Sequence, residues 1–370
     1  MLLRTANKLL PLTARQGVNT MSKNRKDEHI QLARKFYSTK ENDFDRVRFI
    51  PNALPEIDIQ HTNISTEFLG LSFSRPFYIN ALTGGSAKAL EINKMLGEVA
   101  GKTGVLIASG SVVAALKDDT LIPSFRSLRE ANPNGRIFAN INANTSVEMA
   151  IRAIQITQAD GLQIHLNVAQ ELIMPEGERS FSSWRKNIQQ IIQQIQLPII
   201  VKEVGCGMSR ETIEELFAIG VKAVDISGVG GTNFVAIENE RRSEKELTHF
   251  ENWGLSTVES LLESQKMQRK MTILASGGVR NGMDIAKSLA LGAKGVGISG
   301  AILKILTEKG VNATIEWMLQ LEEELHILFT LLGVRTIEEL QNKSELLFDN
   351  SLRNFCLDRG IEIKNFSQKI

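Results

Sequence analysis

His165, Asn167, Gln170 and Glu171 bring four polar groups into one short stretch, and their types suit proton transfer and ligand orientation. On an extended strand His165 and Asn167 alternate onto the same face, with Gln170 and Glu171 beginning the loop beyond. Glu171 has no neighbouring ligand set, which suits Mg²⁺ shared with substrate phosphates better than a closed protein cage. A single histidine here would as readily be a satisfied core residue; the crowding is what argues for function.

Lys202 sits in an otherwise apolar run, where a cation is costly unless it meets a negative partner. An electron-rich cofactor is one such partner, and an ion pair with Glu203 or Asp225 is the alternative. Because neighbouring strand residues face opposite sides, Lys202 and Glu203 should not meet directly. The turns GGVRNG (277–282) and SGA (299–301) suit phosphate, since glycine lets backbone N–H groups approach its oxygens at helix starts. Arg280 would add charge there, although the same glycines would also serve as plain tight turns. Arg25 and Lys26 with His29 make a basic knot, either a solvated charge run or an arm folded over an anion. Cys206 has no attendant base nearby and reads as a packing residue.

These groups must be held by something regular. Apolar, β-rich runs at 77–83, 105–109, 136–142, 161–167, 198–205, 223–228, 271–278 and 295–301 alternate with helix-period segments, the pattern of repeated βα units. Ile213, Leu216 and Phe217 repeat at helical spacing before Gly220, and Ser256 with Glu259 forms a capping box. Eight strands favour a closed α/β barrel over an open sheet, and in such a barrel the ligand site lies at the carboxyl ends of the strands. The polar residues cluster at those ends. The expected architecture is a (β/α)8 TIM barrel over 76–305, with an N-terminal arm over 23–75 and C-terminal helices over 306–370 packed on it.

Residues 1–22 read as a leader. It is basic with no acid before Asp27, as in an organelle presequence, but Met21 followed by SKNRKDEH offers an alternative start. A floppy or artefactual leader is the preferred reading. Forty-three Lys+Arg against 42 Asp+Glu leave a net charge of +1, too small a field to gather nucleic acid or a membrane surface. Two cysteines, Cys206 and Cys356, without metal-ligand spacing argue against a disulfide framework or zinc site and make a reducing cytoplasm the default.

The segments RKDEH (25–29), TGG (83–85), QIHLNVAQELIMPEGERSF (163–181), VKEVGCGMS (201–209), SGVGGTNFVAIENERR (227–242) and ASGGVRNGMDIAKSLALGA (275–293) resemble the type 2 isopentenyl-diphosphate isomerase family. The resemblance implies an FMN- and Mg²⁺-dependent enzyme interconverting isopentenyl and dimethylallyl diphosphate, with NAD(P)H serving to reduce the flavin. It implies that Ala81, Leu82, Thr83, Ser111, Asn140, Lys202, Ser227, Thr232, Gly278, Val279, Arg280, Gly300 and Ala301 hold FMN. Arg25, Lys26 and Gln170 would contact substrate, Ser111, Val112 and Val113 would line its pocket, and Glu171 would bind magnesium. His165 and Asn167 would face the isoprenoid, with His165 also able to bind the diphosphate or relay protons. Lys202 would compensate charge on anionic reduced flavin, whose N5 would act as acid/base in a 1,3-allylic proton shift. The family implies a homotetramer or homo-octamer. Val112 and Val113 stand where polar or basic residues often sit, and Val229 where arginine is frequent.

Two rivals remain. An FMN-dependent α-hydroxy-acid oxidase shares the lysine and phosphate turns but needs a histidine base after strand six or seven, where none follows until His249. A non-catalytic flavin-binding barrel is the other, and it gains nothing from the crowded ionisable groups.

Overall fold

The computed structural model describes residues 18–36 and 41–368, and side chains from Lys26 onward apart from that of Arg34. Residues 1–17 of the expected leader lie outside the described residues, as does the side chain of Arg25. Helix α1, Val18–Phe36, begins ahead of the boundary expected at residue 23.

All eight apolar runs form strands of one closed parallel barrel in sequential order. They are β1 Phe77–Ile79, β2 Ile107–Ser111, β3 Ile137–Asn142, β4 Gly161–Leu166, β5 Ile199–Glu203, β6 Ala223–Asp225, β7 Thr272–Ser276 and β8 Gly295–Ile298. Period-two alternation divides each strand between two environments. Ile137, Ala139 and Ile141, like Leu162 and Ile164 or Ile199 and Val201, pack outward against the helices. The opposite phase contributes Phe138, Ile200, Ala223 and Leu274 to a separate core inside the barrel. The same inner phase continues as Asn140, Gln163, His165, Lys202, Asp225 and Ser276. Register then ties these together across the ladder: Asn140 lies opposite Gln163, His165 opposite Lys202, and Lys202 opposite Asp225.

A hairpin of Thr66–Phe68 and Leu71–Phe73 supplies Phe68 and Phe73 to that inner core, their rings stacked at 4.4 Å. Apolar filling at this end leaves the polar end of the barrel open.

Helices follow every strand. Those that frame the open end are α2 Val168–Ile173, α3 Phe234–Arg241, α4 Gly282–Ala290 and α5 Gly300–Leu332. The expected boundary at 305 falls inside α5, which carries the eighth barrel helix and kinks at Gly310 (φ 84°). The C-terminal region is not all helix: Leu346–Phe348 is a strand pairing antiparallel with Val47–Phe49. Ser256 and Glu259 do form the capping box, and Gly220 lies just past the helix Arg210–Ala218 with φ 99°. Phe217, expected on the packed face, is 41% exposed.

Candidate active site

A cavity of about 350 Å³ opens at the carboxyl ends of the strands. It is lined by Lys26, Ala81, Leu82, Thr83, Ser111, Val113, Asn140, His165, Asn167, Gln170, Glu171, Lys202, Ser227, Thr232, Gly278, Val279, Arg280, Gly300 and Ala301. A larger groove of about 830 Å³ at the opposite end, between Pro198, Lys222 and Lys294, contains none of these residues. Val112 is a correction. It is fully buried in the apolar core and its N–H is taken by the Asn140 carbonyl at 2.8 Å, so it packs the helix start instead of lining the cavity.

The glycine turns meet backbone to backbone. Gly277 and Gly278 have φ of 102° and 76°, and a Cβ on Gly278 would come within 2.7 Å of the Gly230 carbonyl oxygen. Asn42, from the segment ahead of the barrel, donates Nδ2–H to the Gly278 carbonyl at 2.9 Å. Among the described residues the N–H groups of Gly278 and Val279 have no acceptor. Ser299 gives α5 no side-chain cap, so its first-turn N–H groups also remain open to an anion. Arg280 differs from expectation. Its guanidinium is gripped by Asp45 at 2.7 Å and Asp284 at 2.8 Å, which raises its pKa and already compensates its charge. The backbone N–H groups of the turns, braced by that ion-pair cluster, are therefore the donors left open to an anion.

Lys202 is 5% exposed and donates from Nζ to the Glu203 carbonyl at 2.5 Å. The two side chains diverge as strand geometry requires, because the Glu203 carboxylate turns back to accept the N–H groups of Val204, Gly205 and Cys206. Burial pushes Glu203 up to about 7. Burial also lowers the pKa of Lys202, opposed by the charges of Asp225 and Glu203, yet among the described residues no carboxylate reaches ion-pair distance of Nζ.

Asp225, which sequence reasoning considered only as a partner for Lys202, is fully buried with four donors around it. It accepts from Tyr78 Oη (2.9 Å), Asn80 Nδ2 (2.7 Å), Ser276 Oγ (2.7 Å) and the Ser227 N–H (3.2 Å). An acid inside the apolar run AVDIS was the signal for it. From Asn80 a path of buried amides runs through Gln163 and Asn140, each step 3.2 Å, to His165 Nδ1, 2.6 Å from Asn140 Oδ1. Burial, with the charges of Lys202 and Lys26, holds the His165 imidazole down at about 3 despite the Ile141 carbonyl. It is neutral at physiological pH.

On α2, Gln170 donates from Nε2 to Glu238 at 3.0 Å, and Asn167 donates from Nδ2 to Gln170 (3.2 Å) and Glu171 (2.8 Å). The Glu178 N–H completes the hold on Glu171 at 2.8 Å. Asn167 Oδ1 is buried without a partner among the described residues, an acceptor facing the costs of desolvation unless a ligand meets it. Among the described residues no three His, Cys, Asp or Glu side chains gather as a metal cage.

Glu238 on α3 was missed by sequence reasoning, because its partners come from distant parts of the chain. Fully buried, it meets His29 Nε2 at 2.9 Å and Arg241 Nη1 at 2.5 Å besides Gln170. Burial alone would raise its pKa, but these partners outweigh burial and hold the carboxyl at about 2. Burial keeps His29 below its ordinary value, so a neutral imidazole faces the ionised carboxylate, Nε2 lying 2.9 Å from Oε1 without the geometry of a donated hydrogen bond. That close contact sets α1 beside the cavity mouth.

An eightfold barrel whose paired glycine turns and buried lysine converge on one cavity defines the class of FMN-dependent α/β barrels; residues 108–346 match the model of the FMN-dependent dehydrogenase family. The fold is similar to that of a mutant flavocytochrome b2 with pyruvate bound (TM-score 0.64, 21% identity, 86% of this chain and 82% of that one). It is also similar to a lactate oxidase, described as putative, from Pediococcus acidilactici (TM-score 0.64, 18% identity, 93% and 96%). Within that class the chain belongs to the type 2 isopentenyl-diphosphate delta-isomerase family. It is 47% identical to the isopentenyl-diphosphate delta-isomerase of Latilactobacillus sakei, over 93% of this chain and 98% of the relative. The enzyme of that name from a Streptomyces strain is 45% identical over 94% and 96%.

Proposed function

We propose that this protein interconverts isopentenyl and dimethylallyl diphosphate, using FMN and Mg²⁺ at the cavity on the open end of the barrel. The observation that carries the reading is convergence: the glycine cradle, Lys202 and the Asn167, Gln170 and Glu171 group line a single chamber. FMN fits the residues present. Its phosphate would take the unpaired N–H groups of Gly278 and Val279 and the open start of α5, and Lys202 would offset negative charge on its reduced ring. The chemistry that reduced FMN supplies when bound is acid/base catalysis without net electron transfer.

The side chains do the rest. Arg25 and Lys26 on α1 would take the diphosphate, and Glu171 would share Mg²⁺ with it, Asn167 Oδ1 accepting from the metal's water shell. Gln170, held through Nε2 by ionised Glu238, keeps a fixed orientation toward the alkene. The His29–Glu238 contact holds α1 against the mouth and would limit water where a carbocation-like state would be quenched. One proton is gained at one end of the alkene and one lost from the allylic carbon, so no electrons are consumed. NAD(P)H serves as reductant for the flavin, and the protein is a homo-oligomer of four or eight copies. Among the described residues no helix is long and apolar enough to cross a membrane.

The oxidase reading lacks its base, since His249 is exposed and stands outside the cavity. Anaerobic incubation with isopentenyl diphosphate, FMN, Mg²⁺ and a reductant should yield dimethylallyl diphosphate. Absence of that product from flavin-loaded protein, or bleaching of FMN by hydroxy acids, would reject the reading.

A further inference from the structure

Asp225, Asn80, Gln163, Asn140 and His165 form one continuous path across the barrel interior. The first four are at most 2% exposed. Each amide offers a donor end and an acceptor end, so the bonds along the path must all run the same way.

Two anchors settle the direction. The Asp225 carboxylate has four donors converging on it, so Asn80 presents Nδ2 to it at 2.7 Å. Independently, the Ala81 N–H, which can only donate, meets Asn80 Oδ1 at 2.9 Å. Gln163 Nε2 therefore donates to Asn80 Oδ1, and Asn140 Nδ2 donates to Gln163 Oε1. Asn140 Oδ1 is left as the acceptor facing His165 Nδ1 at 2.6 Å.

The structure assigns Gln163 a positioning role: as the middle link of a path rooted at Asp225, it fixes His165 as the Nδ1–H tautomer with Nε2 as a bare lone pair. Besides Asn140 Oδ1 the ring meets the Ile141 carbonyl, which likewise can only accept and so adds to the pull on a ring N–H, and the ring lines the cavity. Because burial keeps the ring neutral, the tautomer is the property left to be set. A lone pair accepts from an O–H or N–H donor and repels a bare phosphate oxygen. His165 thus meets a hydrogen-bond donor of the ligand, such as water carried by a cation, instead of the diphosphate itself. This deepens the reading of the cavity as a substrate site, while the tautomer can be measured without any turnover.

The test is a multiple-bond ¹H–¹⁵N spectrum of FMN-loaded protein labelled with ¹⁵N-histidine, recorded at pH 7. The His165 ring is assigned by its loss in His165→Gln or, should that variant not fold, by replacing the other four histidines one at a time. A single species protonated at Nδ1 is expected; an Nε2–H pattern overturns the assignment. In Gln163→Met, which cuts the path with little change of volume, the single species should give way to both tautomers. Persistence of one Nδ1–H species in that variant would show that the path does not set it. Isomerase assays on the same samples report separately on the functional reading, so its failure would leave the spectral result standing.

Discussion

Gly278→Ala puts a side chain where two glycine turns touch. At φ 76° alanine carries a left-handed backbone cost of about 1 kcal/mol. Its Cβ would also come within 2.7 Å of the Gly230 carbonyl oxygen and 2.8 Å of Asn42 Nδ2. Relief requires the turn to move and the Asn42 bond to Gly278 to break, a further loss of about 1 kcal/mol. FMN binding must restore the original turn, so about 2 kcal/mol is subtracted from its affinity, roughly a 30-fold rise in Kd. Fluorescence titration of flavin-free protein with FMN reads this directly. Gly70→Ala is the control: its φ is 72°, nothing lies within 4 Å of the added Cβ, and Gly70 lies outside the cavity. It should keep wild-type FMN affinity while losing about 1 kcal/mol of stability. If Gly278→Ala binds FMN within about threefold of wild type, the cradle does not hold the phosphate as argued.

Glu171→Gln should raise the Mg²⁺ concentration needed for half-maximal activity by about 10-fold or more, and an unchanged magnesium titration rejects the ligand role. His165 carries a linked pH dependence. Its folded pKa of about 3 lies below the unfolded value near 6.5, so its contribution is fully present above 6.5 and is lost as pH falls toward 3. Wild type should therefore lose about 2 kcal/mol more than His165→Gln between pH 7 and 5 in urea unfolding; equal losses would contradict a buried neutral imidazole. Val112→Ala should cost about 2 kcal/mol of stability through lost burial while leaving the KM for isopentenyl diphosphate unchanged, and a raised KM would return Val112 to the pocket wall.

All eight strands were legible because a parallel strand packed on both faces is apolar throughout, and polar residues at its carboxyl end then stand out, as Asn140, His165 and Lys202 did. Long-range partnerships were not legible. Arg280 looks like a free phosphate ligand until Asp45, 235 positions earlier, is found closing on it. Glu238 sits in a helix whose sequence gives no hint that His29 and Gln170 will meet its carboxylate. Val112 was misplaced for a local reason: the chain turns from β2 into a helix at that residue, and the turn aims it into the core. Leu346–Phe348 is too short for periodicity to reveal, and its partner strand lies near the other end of the chain.

That pairing of Val47–Phe49 with Leu346–Phe348 fastens head to tail like a buckle. Just upstream of the buckle lie Asn42 and Asp45, the two props under the glycine turns. If the flavin phosphate sits on those turns, trimming this polypeptide from its far terminus should loosen the yellow pigment, and a shortened version made for crystallisation or fusion should need both halves of the clasp to stay coloured.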